Sequence, residues 1–278
     1  MAGKLYLCAT PIGNLEDITL RVLRTLQEVD VIAAEDTRNT IKLLNHFEIK
    51  TPMTSYHEYN KVDKAAYLVE QLANGKNIAL VTDAGTPAIS DPGEELVKQA
   101  YAAGIPVTSL PGACACVTAL TLSGLSTRRF AFEAFLPSDK KLRRKILDSL
   151  CTVIIYEAPH HLRATLQELF AALGDRRLTI CRELTKIHES AMQFTLSEAI
   201  YYYEQNAPKG EYVLVIEGRN MADLEQESRD AWAQLSVNEH MQHYLSEGMD
   251  RKDAMKQVAK DRGVPKREIY QQLLNKDT

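Results

Sequence analysis

Long hydrophobic runs are missing from this chain. No stretch reaches the ~18 apolar residues of a membrane helix. The short apolar run at the N-terminus stops at Pro11 and Gly13, too soon for a signal peptide, so a cytoplasmic protein with no membrane contact is expected. Cysteine is sparse. Cys8, Cys114, Cys116, Cys151 and Cys181 are odd in number, irregularly spaced and form no C-x-x-C pair. Buried free thiols in a reducing compartment are the expectation, and zinc or redox chemistry is disfavoured. There is no G-x-G-x-x-G and no Walker lysine loop, which argues against phosphate cradling. No H-E-x-x-H, metal-ligand cluster or Ser-His-Asp order occurs, so hydrolytic and metal-assisted mechanisms lack support. Nor is there excess positive charge. A formal net charge of -4 excludes generic coating of nucleic acid. Any RNA contact must come from a local patch or a shaped cleft.

What is present suits a soluble globular protein. The 278 residues are 45% hydrophobic and 25% charged, enough for two domains and a small appendage. Short buried runs at 5–9, 31–34, 78–81 and 107–110 read as strands. Longer amphipathic stretches follow several of them: a helix over 20–29 with Asp17 as N-cap, one through Ile41, Leu43 and Leu44, and one carrying Leu96, Val97 and Ala100. This repetition predicts a mainly parallel, helix-covered sheet. A second α/β segment opens at Phe130 and has strands at 152–156, 178–181 and 212–216 with a helix over 162–173. The tail reads as helical, with a capping box at Ser236 and Glu239 and a helix-turn-helix spacing at Ala259, Gly263 and Ile269. The expected domains are 1–125, 126–221 and 222–278, joined first by a linker at 126–129. Two basic clusters stand out: Lys140, Lys141, Arg143, Arg144 and Lys145, and a tail series that includes Lys266 and Arg267. Solvated helix faces explain either cluster as well as RNA does.

In an open α/β sheet, ligands sit beyond the C-terminal ends of the strands. The loops there are unusual. Pro11 to Asn14 follows the first strand. Glu35, Asp36 and Arg38 follow the second, where capping by Asp36 or Thr37 is the plain alternative to chemistry. Asp83, Ala84, Gly85, Thr86 and Ile89 belong to a loop with two glycines, two prolines and two aspartates. Such a loop has a fixed path and lets a flat ligand approach its backbone. Ala113 follows the fourth strand. Tyr156 and Glu157, then Leu184 and Lys186, then Gly210, occupy similar places in the second half. The same design in both halves predicts a ligand in a cleft between them. With no nucleophile or metal in sight, the reactive group should arrive on a cofactor.

The strings ATPIGNLEDITLR (9–21), AEDTR (34–38), SYHEYN (55–60), DAGTPAISDPG (83–93), LPG (110–112), FLP (135–137), YEAPH (156–160), REL (182–184) and KGEYVLVIEG (209–218) resemble, in order, the ribosomal small subunit methyltransferase I family of the tetrapyrrole-methylase superfamily. The helical tail resembles that family's C-terminal extension. The resemblance implies two α/β domains with S-adenosylmethionine in the cleft between them, plus a small helical C-terminal domain. It also implies 2′-O-methylation of a cytidine ribose in 16S rRNA of the small ribosomal subunit, and a homodimer. Its cofactor loops map onto Pro11, Asp83, Ala84, Gly85, Thr86, Ile89, Ala113, Tyr156, Glu157, Leu184 and Gly210. Two departures appear: Glu133-Ala134 where a glycine is expected before Phe135, and His161 where arginine is expected.

In-line transfer of a methyl group to a ribose oxygen needs a base. Glu35, Asp36, Asp83, Glu157 and Lys186 are available, and the Glu35-Asp36-Arg38 loop is favoured for substrate handling. Asp36, Glu35, Arg38 and Lys186 are thus the catalytic candidates, with Asp83 expected to shape the cofactor loop. A small-molecule methylase acting on a tetrapyrrole, or a non-enzymatic RNA-binding factor, are the rival readings.

Overall fold

The computed structural model describes residues 1–147, 149–219, 226 and 229–274, with the backbone alone at 140, 144 and 145. One compact unit spans Met1–Leu147 and Thr152–Glu217 and holds two five-stranded sheets; the C-terminal helices belong to a second unit. Among the described residues no helix is long and apolar enough to cross a membrane.

The first sheet is wholly parallel. Its strands are β1 (Leu5–Cys8), β2 (Val31–Ala34), β3 (Met53–Ser55), β4 (Ile78–Val81) and β5 (Val107–Leu110), in spatial order β3-β2-β4-β1-β5. Side chains alternate between its faces, as the period of a strand requires. Leu5, Leu7, Ala33, Ile78 and Leu80 pack under α3 (Lys61–Ala73) and α4 (Gly93–Ala102). Cys8, Ile32, Ala34, Ala79 and Val81 pack with residues of α1 (Leu20–Glu28) and α2 (Thr37–His46) on the other face. Every strand therefore points its C-terminal end at one rim. The β4 and β1 strands lie side by side there, and their chains leave in opposite directions, β4 towards β5 and β1 towards β2. This is a topological switch point. The N-cap of α1 is Thr19, whose hydroxyl accepts from Val22 N. Asp17, expected there, instead lies in a single 3-10 turn started by Asn14.

The second sheet is mixed. Its strands are β6 (Phe130–Phe135), β7 (Thr152–Glu157), β8 (Arg177–Arg182), β9 (Ser190–Thr195) and β10 (Tyr212–Ile216), in order β6-β7-β10-β8-β9. Only β6 and β7 are parallel; the other pairs are antiparallel. One face carries α7 (Leu162–Leu173) and α8 (Leu196–Gln205) over Ile155, Ile180 and Leu214. The opposite face, with Ile154, Cys181, Val213 and Val215, is covered by α5 (Ala115–Leu122), the helix that follows the first sheet. So α5 joins the two sheets into one packed body. The register of β6 breaks between Phe132 and Phe135, and Ala134 stands at φ 49°. A glycine would adopt that left-handed conformation at no cost, while alanine bears about 1–2 kcal/mol. This explains why the family pattern puts glycine before the phenylalanine.

α6 (Lys140–Leu147) carries the first basic cluster. Arg143 is used internally, donating to Pro137 O and pairing with Glu168. The side chains of Lys140, Arg144 and Lys145 lie outside those described.

In the second unit, α9 (Val237–Ser246), α10 (Arg251–Arg262) and α11 (Lys266–Leu274) close over Met241, Ala254, Val258 and Ile269. Ser236 and Glu239 form the expected capping box, and Gly263 ends α10 in the left-handed conformation. The first residues of the tail, 220–225 and 227–228, lie outside the described residues. His240 is fully buried and stacks on Trp232 at 3.8 Å between ring centroids. Arg262 Nε donates to His240 Nδ1 at 3.1 Å, which puts the neutral ring's proton on Nε2, facing Asp261. Burial, then the Arg262 charge, hold this imidazole below its ordinary pKa. The unfolded chain thus binds the proton first, and stability is fully present only above the unfolded value of ~6.5. We expect the unit to loosen as pH falls through the lower folded value. Trp232 is the sole tryptophan, so its fluorescence reads this unit alone. A pH titration should show a transition below ~6.5, and a signal flat down to pH 4 would refute the assignment.

Candidate active site

The rim of the first sheet is locked by the backbone. Thr10 and Gly85 exchange both of their main-chain hydrogen bonds, at 2.9 and 3.0 Å. The Thr10 hydroxyl also donates to Thr82 O at 3.1 Å. Gly85 is at φ +88°, and a Cβ there would stand 3.3 Å from Ile12 Cγ2 and 3.6 Å from Ala113 O. Thr86 Oγ1 donates to Ala113 O at 2.9 Å. Three strand-end loops, from β1, β4 and β5, are thereby held at fixed spacing. Further along, Asp91 Oδ1 accepts from Ala88 N and Gly93 N, so the loop folds back into α4. Ala88 and Ser90 both have positive φ, 67° and 63°. Each non-glycine residue held this way costs about 1–3 kcal/mol, and such positions cluster at functional sites. Ile89 between them is exposed.

The first loop reaches the second sheet. A Cβ on Gly13 would stand 2.5 Å from Lys186 Cγ and 3.1 Å from Thr185 Oγ1. Glu183 and Thr185 are again at positive φ, 51° and 66°, and flank the buried Leu184. Leu184 joins Ile12, Cys114 and Tyr156 in one apolar cluster. Thr185 Oγ1 is buried with no hydrogen-bond partner. Buried polar groups are nearly always satisfied, so this orphan at the Gly13 contact calls for a partner. Gly210, φ +82°, lies against the Glu183 carboxyl, which accepts from Glu211 N at 2.9 Å.

Pro11, Ala84, Gly85, Thr86, Ala113, Leu184 and Gly210 thus stand on strand-end loops of the two sheets, and Tyr156 near the end of β7. The Tyr156 ring meets those of Phe132 and Phe135 edge-on. Glu157 faces the other way. Its carboxylate accepts from Ala158 N and from the Thr165 hydroxyl on α7, and Thr165 belongs to the opposite face of the sheet. His161 is the N-cap of α7 but makes no side-chain cap bond.

The acidic residues separate by environment. Glu35 accepts from the Thr82 hydroxyl at 2.6 Å, tying the end of β2 to that of β4. Asp36 caps α2 through Arg38 N at 2.8 Å and pairs with the Arg38 guanidinium at 2.7 Å. The hydrogen bond from that side chain holds its carboxyl down at about 2. The Arg38 side chain is 88% exposed. Asp83 has one oxygen 3.3 Å from Asn39 Nδ2 and stands above the ordinary carboxylate range, first through partial burial and then through the charges of Glu35 and Asp36. Lys186 is bracketed by Glu183 at 3.0 Å and Glu211 at 2.8 Å. Partial burial opposes its charge, but the two carboxylates prevail and its pKa is raised. It is an ammonium, a cation at the inter-sheet contact.

Thr10, Asn39, Thr82 and Thr185 complete this arrangement. The partners of Thr10, Asn39 and Thr82 lie up to 75 residues away and Thr185 has none for its hydroxyl, so neither spacing nor residue type singles them out. Cys114 and Cys116, read as unremarkable buried thiols, face each other at 3.4 Å at the start of α5.

Similarity to known proteins agrees with this geometry. The tetrapyrrole (corrin/porphyrin) methylase family matches residues 4–200. A ribosomal RNA small subunit methyltransferase I from Halalkalibacterium halodurans is 53% identical over 96% of this chain and 93% of its own length. Its namesake from Bacillus subtilis is 48% identical over the same shares. Among solved structures, a uroporphyrin-III C-methyl transferase from Thermus thermophilus, complexed with S-adenyl homocysteine, aligns with TM-score 0.55 at 18% identity, covering 77% of this chain and 97% of that one. That likeness speaks for the fold, and the full-length relatives speak for the family. The chain belongs to the ribosomal RNA small subunit methyltransferase I family within the tetrapyrrole methylases.

Proposed function

We propose that this chain methylates the 2′-hydroxyl of a cytidine ribose in the 16S rRNA of the small ribosomal subunit, as a cytoplasmic homodimer using S-adenosylmethionine. The observation that carries the reading is the Thr10–Gly85 pair, which fixes three small-residue loops beside the orphaned Thr185 hydroxyl. A donor with a flat ring and a short polar chain suits such loops, whose backbone and small side chains let it approach closely. Pro11, Ala84, Gly85, Thr86, Ile89 and Ala113 would hold it from the first sheet, and Tyr156, Leu184 and Gly210 from the second. Glu157 supports that second wall through its bond to α7. When bound, the donor supplies an electrophilic methyl carbon.

The chain's own work is then positioning and one proton transfer. Alignment of reacting groups at ~3–3.5 Å supplies much of such a barrier reduction. Glu35 keeps the ends of β2 and β4 together. Arg38, exposed and oriented by Asp36, suits an RNA phosphate. Asp83 is the acceptor best placed to take the hydroxyl proton, because its carboxyl carries only neutral donors, Asn39 and the backbone of Asp36, and is raised in basicity by partial burial and by its acidic neighbours. Asp36, held at about 2, is a weaker base. Lys186, held on the second wall by Glu183 and Glu211, presents its aliphatic stem to Gly13 of the first.

Lys266 and Arg267, exposed at the start of α11, serve as RNA contacts. The test uses labelled donor with small ribosomal subunits, followed by nuclease digestion. Labelled 2′-O-methylcytidine is expected. Changing Lys266 and Arg267 to Ala should weaken RNA binding and flatten its salt dependence by a slope of about 2, leaving donor binding intact. Label on a base, or transfer to a precorrin instead of the subunit, would overturn the proposal.

A further inference from the structure

Cys114 is the residue before α5 and Cys116 lies in its first turn. Their sulfurs are 3.4 Å apart, Cys116 is only 4% exposed and Cys114 is partly open. A disulfide bond is ~2.05 Å long, so closure needs a movement of roughly 1.4 Å. We propose that Cys114 and Cys116 are a modification site: a dithiol that closes by exchange with a low-molecular-weight disulfide and, once closed, disables the neighbouring donor cradle. The second half rests on the donor site proposed above; the first half does not.

The place of the pair makes the consequence local. Ala113, whose carbonyl receives the Thr86 hydroxyl, is bonded directly to Cys114. The carbonyl of Cys114 accepts from Thr118 N and Thr118 Oγ1, both at 3.0 Å, so the first turn of α5 is anchored on its own helix. Thr86 flanks the pair at the Cys114 end and Tyr156 at the Cys116 end. Rotation of the two side chains takes up part of that approach, and the remainder falls on the turn or the 113–114 peptide. Either movement disturbs the Thr86–Ala113 clasp, and a displacement of about 1 Å near a reacting centre is worth about 10²-fold.

The chemistry is asymmetric in a useful way. The Cys116 thiol hydrogen-bonds to Cys114 and holds it well below the ordinary thiol range, while Cys116 itself is raised. Cys114, the more open and more acidic of the two, is the attacking thiolate. It displaces one thiolate from the small disulfide, and that thiolate takes up a proton. Cys116 then gives its proton to solvent and attacks the Cys114 sulfur, expelling the second thiolate, which is protonated in turn. Two electrons pass from the protein to the small disulfide, two small thiols are formed, and one S–S bond replaces two S–H bonds. A reducing dithiol reverses the sequence.

The test incubates the full chain with oxidised glutathione, maps the thiols by mass spectrometry, and measures S-adenosylhomocysteine binding by calorimetry before oxidation, after it and after dithiothreitol. We expect a Cys114–Cys116 cross-link, at least a tenfold weaker binding, and full recovery on reduction. In Cys116→Ala the first step should be trapped as one glutathione on Cys114; in Cys114→Ala neither residue should be modified. Two free thiols at 114 and 116 after Cys151 has reacted would overturn the modification site. A cross-linked chain that still binds S-adenosylhomocysteine at full strength would overturn the switch. Failure of the reduced chain to bind it would instead overturn the donor cradle, and with it the inhibitory half, while the cross-link is still judged by mass.

Discussion

Replacing Gly85 with valine should weaken S-adenosylhomocysteine binding more than 100-fold and abolish methyl transfer, measured by calorimetry and by label incorporation. Two effects combine. At φ +88° a β-branched residue is strained, costing about 1–2 kcal/mol or more. Its Cβ would also stand 3.3 Å from Ile12 Cγ2, with the two methyls reaching further into the space between Ile12 and Ala113. Because Gly85 exchanges two backbone bonds with Thr10, the strain is passed straight to the β1 loop. Gly104 provides the control. It is also left-handed, φ +68°, but nothing lies within 4 Å of an added Cβ. Gly104→Ala should cost about 1 kcal/mol of stability, a few degrees in Tm, with binding unchanged. Stability thus changes in both variants and binding in one. Equal binding by Gly85→Val and wild type would mean that the donor does not lie against this loop.

The contrast between these glycines shows what the sequence can and cannot express. The glycine, proline and acid clusters at 83–93 follow a fully buried four-residue run, so the loop reads directly as a strand-end feature. The strands β1, β2 and β4 are legible for the same reason: short runs buried on both faces are continuously apolar. Three strands escape this reading. β6, Phe130–Phe135, is interrupted by the irregularity before Phe135. β3, Met53–Ser55, is three residues long and half-buried throughout. β9, Ser190–Thr195, is a sheet edge in which polar and apolar residues mix. α5 escapes for the opposite reason. Residues 115–122 are nearly all apolar, so no polar stripe marks the helical period, and its real partner is a sheet formed 30 to 100 residues later. The clasp between the halves is illegible on principle. Gly13 meets Lys186, and Thr10 meets Gly85, only because the folded sheets place them together. Asp36 shows the converse limit: the capping role and the catalytic role predict the same residue in the same place, and only the Arg38 guanidinium folded onto it separates them. The C-x-C of 114–116 is silent in the sequence because the usual redox spacing is C-x-x-C; in the fold the extended backbone of Cys114, φ -149°, enters a helix and the two sulfurs face each other.

Asp83→Asn should lower kcat by about 10²–10⁴-fold, the usual worth of a general base, while S-adenosylhomocysteine affinity stays within about threefold. The amide is the same size and keeps an acceptor for Asn39, so a residue that only shaped the cofactor loop would lose affinity before turnover. The pH profile gives a second, independent reading. A base works when deprotonated, and Asp83 is raised by burial and by the charges of Glu35 and Asp36. Activity in the wild type should therefore rise with pH along an acid limb above the ordinary aspartate value of ~3.9, and that limb should vanish in Asp83→Asn. Asp36→Asn tests the same network from the other side. Asparagine caps a helix as well as aspartate does, so α2 keeps its start. What is lost is one negative charge. Its removal lowers the Asp83 pKa, so the acid limb should move to lower pH rather than disappear. It also frees Arg38 from its carboxylate, so the larger change should fall on KM for the RNA rather than on kcat. The two substitutions thus give opposite signatures from neighbouring carboxylates. If Asp83→Asn turned over at the wild-type rate and Asp36→Asn lost its acid limb altogether, the proton would have to pass to Asp36 despite its pairing with Arg38. The fixed geometry of the β2 loop would then be the base's own support and not the substrate's.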